Sequence, residues 1–180
     1  MPRLKSIWLE DDRQTMQNQT FEVFHNFTDL PVETKAHNHD FFEVLIFLGG
    51  DVEYIVEGRH YKLRSGDIVL TNHFEIHQAV ILSCHKTMPY DRFVLWIHPQ
   101  LGNYLQQVYG IDIMHCFDSS SERHYNLLRP SASVFTEITR LLDKLLNSVH
   151  TDISSKADKA QTTAPATVIT PSIAILEHKT

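Results

Sequence analysis

The chain has 180 residues, 42% of them apolar and 21% charged, which is enough to bury one core of ordinary size. A formal net charge of −6 argues against a surface that grips nucleic acid by itself, because phosphate binding needs a Lys/Arg surplus on one face. No apolar run approaches the roughly 20 residues that span a bilayer, the N-terminus has no apolar signal core, and two cysteines, Cys84 and Cys116, without metal-type spacing suit free thiols in a reducing cytoplasm.

Residues 1–19 are polar and irregular and read as an N-terminal arm. From 20 to 98 the text is strand-like, with β-branched or aromatic runs at Phe21–Phe27, Phe42–Leu48, Val52–Glu57, His60–Leu63, Asp67–Leu70, Ile76–Leu82 and Phe93–His98. Turn signals separate them at Gly49-Gly50-Asp51, Glu57-Gly58-Arg59 and Ser65-Gly66-Asp67. Many short strands with tight turns predict a mainly β sandwich or barrel.

Residues 99–149 read as helical. Pro99 can open a short helix that Gly110 ends, whereas 111–128 shows no clear period. A second helix is predicted over Ala132–Val149, where Phe135, Ile138, Leu142, Leu145 and Val149 recur three and four apart. Val134, Leu141 and Leu146 widen that stripe beyond what one barrel face needs, so the helix is expected to make a homodimer about a two-fold axis. From 150 to 172 the composition turns to Ser, Thr, Ala, Asp and Lys with prolines, and a flexible linker is expected. Residues 173–180 look like the first turn of a further helix.

The segment richest in chemistry is His37-Asn38-His39-Asp40-Phe41-Phe42-Glu43. In extended backbone His37 and His39 point the same way, and Glu43 shares their parity. His77 follows the Gly66-Asp67 turn and the strand after it. Three imidazoles and a carboxylate meeting inside a barrel would hold a divalent transition metal, zinc, nickel or iron, with open coordination positions. The plainer reading of the same four groups is a polar floor for an organic ligand, or a hydrogen-bonded cluster. Phe47, Tyr54 and Trp96 are candidate ligand-lining aromatics against the alternative of plain core. Parity sets Leu45 and Phe47 on the Glu43 face, while the faces of Trp96 and Arg92 stay open.

These spacings resemble the cupin family. Its first motif, His-x-His, three residues, Glu, six residues, Gly, is matched by His37, His39, Glu43 and Gly50. Its second, opening on Gly-Asp and closing on His, is matched by Gly66, Asp67 and His77. The glycine expected before the first motif is Pro31, the Pro-x-Gly before the second histidine is Asn72-His73-Phe74, and the expected Asn is Ile81. Within cupins, the run Asp40-Phe41-Phe42-Glu43-Val44-Leu45-Ile46-Phe47, the stretch Tyr61–Leu70 and the stretch Tyr90–Pro99 resemble the N-terminal domain of AraC/XylS-type regulators. That resemblance implies a double-stranded β-helix (jelly-roll) barrel followed by C-terminal helices. It also implies a small effector in the barrel and a dimer made by the helices. DNA contact would come only through a downstream helix-turn-helix domain, whose beginning Pro171–Glu177 resembles. Ligand contacts would fall to His37, His39, Glu43, Phe47, His77 and Trp96, and no catalytic residue is implied. The alternative class is a metal-dependent cupin enzyme, a dioxygenase or isomerase, using His37, His39, Glu43 and His77; no further acid–base pair supports it.

Overall fold

A computed structural model describes residues 15–30, 34–118 and 125–160, with side chains as far as 148. Most of the predicted arm, Pro31, the side chain of Val149, the linker beyond 160 and residues 173–180 lie outside the described residues.

Among the described residues, seven strands and two helices follow the predicted order, and a short eighth strand is added to them. They are β1 (Phe21–Thr28), β2 (Phe42–Gly49), β3 (Asp51–Val56), β4 (Arg59–Lys62), β5 (Ile68–Thr71), β6 (His77–Ser83), β7 (Tyr90–Ile97), α1 (Pro99–Tyr109), β8 (Leu127–Leu128) and α2 (Ala132–Ala160). One sheet runs β1-β7-β2-β5-β8 and the other β4-β3-β6, and the strand pairs are antiparallel. The fold is a mainly β cupin barrel with its helices packed outside.

The alternation of side chains along each strand sorts them into two cores. Leu45, Phe47, Val52, Tyr54, Val56, Val69, Tyr90 and Val94 meet between the sheets. Val23, Phe42, Ile46, Ile68, Phe93 and Ile97 face the other way, where Leu101 of α1 and Leu142 of α2 cover them. The five-stranded sheet is therefore apolar on both faces, which is why β2 and β5 read as nearly unbroken hydrophobic runs. The β2–β3 turn needs Gly50, which has φ +126 and passes so close to the chain that a Cβ would lie 2.9 Å from the Pro89 carbonyl oxygen. The cap of α1 is as predicted at Gly110, which is left-handed and donates its N–H to Gln106 O, and His98 accepts from Gln100 N–H at the other end.

Three expectations change. The aperiodic segment 111–128 is not wholly apart from the barrel, since Leu127 and Leu128 pair with Val69 and Ile68 as an added edge strand. The second helix does not stop at Val149 but runs to Ala160, into the predicted linker. Residues 150–160 contain neither Pro nor Gly, and extending a helix already nucleated by packing adds one hydrogen bond per residue fixed. The stripe expected to form a dimer lies instead on the protomer's own sheet. Leu142 is buried there, and Phe135, Ile138, Leu145 and Leu146 are packed around it. Among the described side chains of α2, the large apolar residues left outward are Val134 and Leu141, each about half exposed.

This packing makes Leu142 a core residue of the single protomer. Leu142→Lys is expected to lower the unfolding free energy by about 3 kcal/mol or more, by loss of apolar burial and burial of a charge. Urea denaturation followed by circular dichroism measures it, and a folded monomer of unchanged stability would contradict the packing.

Candidate functional site

His37, His39, Glu43 and His77 come together inside the barrel, each delivered by a different piece of local structure. His37 and His77 exchange two backbone hydrogen bonds, His37 N–H to His77 O at 3.0 Å and His77 N–H to His37 O at 2.9 Å. That bridge carries the chain before β2 across to the start of β6. Glu43 is the second residue of β2, opposite Trp96 of β7 and Thr71 of β5. His39 stands between them, its ring stacked on Phe41 at 3.7 Å between centroids and 7° between planes.

One ligand nitrogen from each of the three imidazoles lies within 4.8 Å of the other two. Glu43 Oε2 is 3.6 Å from His39 Nε2, and Glu43 Oε1 is 3.9 Å from His77 Nε2. His39, Glu43 and His77 are buried, and His37 is half-buried.

The backbone decides which nitrogen of each ring is available. His37 Nδ1 is 3.0 Å from Lys35 O, His39 Nδ1 is 2.9 Å from Phe41 O, and His77 Nδ1 is 2.9 Å from Glu75 O. A carbonyl oxygen can only accept, so each neutral ring carries its proton on Nδ1 and keeps a lone pair on Nε2. The buried Nε2 atoms of His39 and His77 have no hydrogen-bond partner. Lone pairs thus face a carboxylate with no donor between them, a costly arrangement when dry. Carbonyl-oriented Nδ1–H with a free Nε2 is the ordinary state of a metal-ligating histidine. The donor set fits a divalent transition metal, and it fits equally a ligand that brings its own donors.

Glu43 is held as an anion. Burial alone would raise its pKa, but pairing with His39 and the positive charge that His77 and His39 take on when protonated outweigh this as the pH falls. Trp96 also donates to it, and the carboxyl is held well below the usual range. Trp96 Nε1–H donates to Oε2 at 2.8 Å and Tyr54 O–H to Oε1 at 2.9 Å. Burial in turn raises the Tyr54 hydroxyl, and the neighbouring Glu43 charge adds to it, so Tyr54 stays a donor. Burial lowers His77, only partly offset by Glu43 and the Glu75 carbonyl.

Of the predicted ligand residues, Trp96 belongs to this cluster through its indole N–H. Phe47 does not: it is buried in the inner core beside Tyr90, 6.1 Å between ring centroids. Tyr54, weighed only as a pocket-lining aromatic, is a direct partner of Glu43. Its place could be read from β3 alternation, which sets Val52, Tyr54 and Val56 inward together. The departure from the second cupin motif has a structural counterpart. Phe74 stands where that motif has Gly, and it adopts the left-handed conformation, φ 66, which glycine takes at no steric cost. Phe74 N–H donates to His39 O at 2.7 Å, so the strained turn braces a site residue.

The family model described as the AraC-like ligand binding domain matches residues 31–151. No curated protein matches the chain. Among solved structures, apo ToxT from Vibrio cholerae is 18% identical with a TM-score of 0.49, covering 71% of this chain and 48% of that one. A Cupin 2 conserved barrel domain protein from Salinispora arenicola is 20% identical with a TM-score of 0.40, covering 50% of this chain and 73% of that one. The salicylate 1,2-dioxygenase from Pseudoaminobacter salicylatoxidans is 21% identical with a TM-score of 0.39, covering 50% of this chain and 25% of that one. The chain thus spans about half the length of the ToxT chain it matches. No helix among the described residues is long and apolar enough to cross a membrane.

The titration of His77 and Glu43 fixes the sign of the acid response of the metal-free protein. A histidine whose folded pKa lies below its ordinary 6.5 favours the neutral form, so below that pH the unfolded chain takes up the proton first and stability falls. Glu43 adds a second loss once the pH drops below the unfolded carboxyl value, about 4.3. Between pH 7.5 and 5.5 the unfolding free energy is expected to decline by up to about 1.4 kcal/mol per pH unit below 6.5 for the His77 proton. His77→Gln should flatten that slope. A stability that rises toward pH 5.5 would have the wrong sign.

Proposed function

The chain belongs to the AraC-like ligand-binding domain family, and from that premise we propose that it is the effector-sensing and dimerisation domain of a cytoplasmic AraC-type transcription regulator. The small effector binds inside the barrel at the cluster of His37, His39, Glu43 and His77, with Trp96 beside it. DNA contact is assigned to a helix-turn-helix domain following the helices. What most supports a binding role is the set of free Nε2 lone pairs on His39 and His77, buried and facing Glu43. A pair of interior imidazoles without partners serves packing poorly, and a bound ion or ligand supplies what they lack. The family is one of ligand-binding domains, and the cluster is accordingly read as a binding site.

Zinc, nickel or iron(II) is the proposed metal, held by His37, His39, His77 and Glu43. When bound, such an ion supplies a positive charge on which an effector's oxygen atoms can rest. The protein's own part is fixed by its backbone: carbonyls orient the three rings, and Tyr54 and Trp96 keep Glu43 ionised and aimed. Signalling needs an effector that binds one arrangement of the dimer better than another. The dimer is proposed on the outward edge of α2, at Val134 and Leu141, now that Leu142 and its neighbours are committed to the barrel.

Native mass spectrometry with elemental analysis of the purified chain tests the site. A metal or small molecule retained by the wild type and lost in His39→Ala is the expected result. Adding zinc, nickel or iron(II) at a hundredfold its dissociation constant should raise stability by about 2.7 kcal/mol. A protein that carries nothing and gains no stability from these ions would remove the metal. A protein that also binds no small molecule would remove the sensing site.

The dimer is checked separately by sedimentation. The double variant Val134→Lys, Leu141→Lys should be a folded monomer with wild-type secondary structure. A wild type that sediments as a monomer at tens of micromolar would contradict the proposal.

A further inference from the structure

One turn touches the histidine cluster at two points and the approach to α2 at a third. It runs from Asn72 to Glu75, between β5 and β6. Phe74 N–H donates to His39 O at 2.7 Å, and Glu75 O accepts from His77 Nδ1–H at 2.9 Å. Glu75 Oε2 accepts from Asn72 N–H at 2.8 Å and from Asn126 Nδ2 at 3.0 Å. Asn126 is buried and donates from Nδ2 to Leu70 O as well, at 2.9 Å, while its Oδ1 accepts from Tyr61 O–H at 3.2 Å. Its backbone carbonyl accepts from Leu70 N–H at 2.8 Å.

The chain passes from Asn126 straight into β8 and then to α2, which begins at Ala132. The ladder that holds β8 is two residue pairs long, so the bonds of Asn126 are a large part of what fixes this segment. Phe135, in the first turn of α2, lies close enough to Gly66 that a Cβ there would be 3.9 Å from its Cγ. The 72–75 turn is itself strained. Phe74 has φ 66, a conformation that an aromatic residue keeps only while its surroundings impose it. Those surroundings include the bond to His39 O and a bond from Asn38 Nδ2 to Phe74 O at 3.3 Å. A turn held in this way shifts its population when one of the contacts that hold it is strengthened or lost.

We infer that the 72–75 turn carries occupancy of the histidine cluster to the start of α2, and that Asn126 is the positioning residue through which it does so. The inference rests on the sensing role proposed above and adds the route by which a signal leaves the site. When His77 Nε2 is engaged by an electrophile, charge is drawn from the ring and Nδ1–H becomes a stronger donor to Glu75 O. When His39 Nε2 is engaged as well, the residue whose carbonyl restrains Phe74 is fixed. Both effects favour the closed turn. Glu75 then keeps its hold on Asn126, and Asn126 keeps β8 and the approach to α2 in place. By linkage the coupling runs both ways, so order imposed at the approach to α2 favours the occupied site.

Zinc alone is the probe, and the whole 180-residue chain at pH 7.5 is the sample. Calorimetry gives the zinc affinity, and hydrogen–deuterium exchange read by mass spectrometry gives the local response. Saturating zinc should slow exchange across residues 125–138 by about fivefold or more, and leave α1 within about twofold. The control is apt because α1 also packs on the outer core, through Leu101. In Asn126→Ala the zinc affinity should stay within about threefold of wild type, while the slowing across 125–138 falls below about twofold. If Asn126→Ala does not fold, Glu75→Ala cuts the same link and keeps the carbonyl that orients His77, and the same loss of response is expected. Equal slowing in α1 and across 125–138 is general stabilisation by a bound ion and overturns the relay. So does a variant that keeps the full response. A wild type that binds zinc with no change across 125–138 overturns the relay and leaves the sensing role standing. A wild type that takes up no zinc removes the metal, and the relay falls with it.

Discussion

Three backbone carbonyls set the chemistry of this domain. Lys35 O, Phe41 O and Glu75 O each take the Nδ1 proton of an imidazole two residues away, at 3.0, 2.9 and 2.9 Å. None of the three can donate, so none of the rings can turn its proton inward without losing a bond. The consequence is a group of Nε2 lone pairs converging beside an ionised Glu43. Such a group is uncomfortable alone and well suited to an electrophile. Around it the protein uses its stronger donors, Tyr54 O–H and Trp96 N–H, on the carboxylate and leaves the imidazoles open. The division of labour is electrostatic: one set of contacts keeps the negative charge, and the other keeps the nitrogens available.

The barrel makes this arrangement hold. β2 brings Glu43 between β5 and β7, and both faces of its sheet are covered, the inner by the opposite sheet and the outer by α1 and α2. The short edge strand β8 ties the route from barrel to helix closely. Asn126, just before it, is buried and donates to Leu70 O and to Glu75 Oε2, while accepting from Tyr61 O–H. Glu75 is the same residue whose carbonyl orients His77. Arg129, just after β8, pairs with buried Asp67 of the Gly66-Asp67 turn. The helix is thus held at its approach by groups that also position the site, a connection suited to a sensor.

Much of this was legible in the sequence, for reasons that can be named. The strands are short apolar runs between glycine turns, so their order could be read directly. The cluster was legible because His37, His39, Glu43 and His77 follow a spacing in which parity and a hairpin-like return suffice to bring them together. The faces of Trp96 and Arg92 were not, because β7 is apolar on both sides and alternation cannot choose between them. The role of the Phe135–Leu145 stripe went astray for a related reason. Periodicity reveals that a helix has an apolar face but not what covers it, and here the outer face of the five-stranded sheet competes first. The end of α2 is hidden in the sequence because a polar composition reads as a linker, although residues 150–160 contain neither Pro nor Gly to stop a helix. Phe74 was beyond reach, since an aromatic residue gives no hint of a left-handed backbone.

The account stands on the protonation state of three rings, and that can be observed without knowing the effector. Long-range proton–nitrogen correlation spectra of the metal-free, uniformly nitrogen-15-labelled chain at pH 7.5 distinguish the two neutral tautomers of each histidine. His37, His39 and His77 should all show a protonated Nδ1 and a bare Nε2, and addition of zinc should shift the three Nε2 signals together. If His39 or His77 instead carries its proton on Nε2, directed at Glu43, the lone pairs are spent on the carboxylate and the binding site described here does not exist.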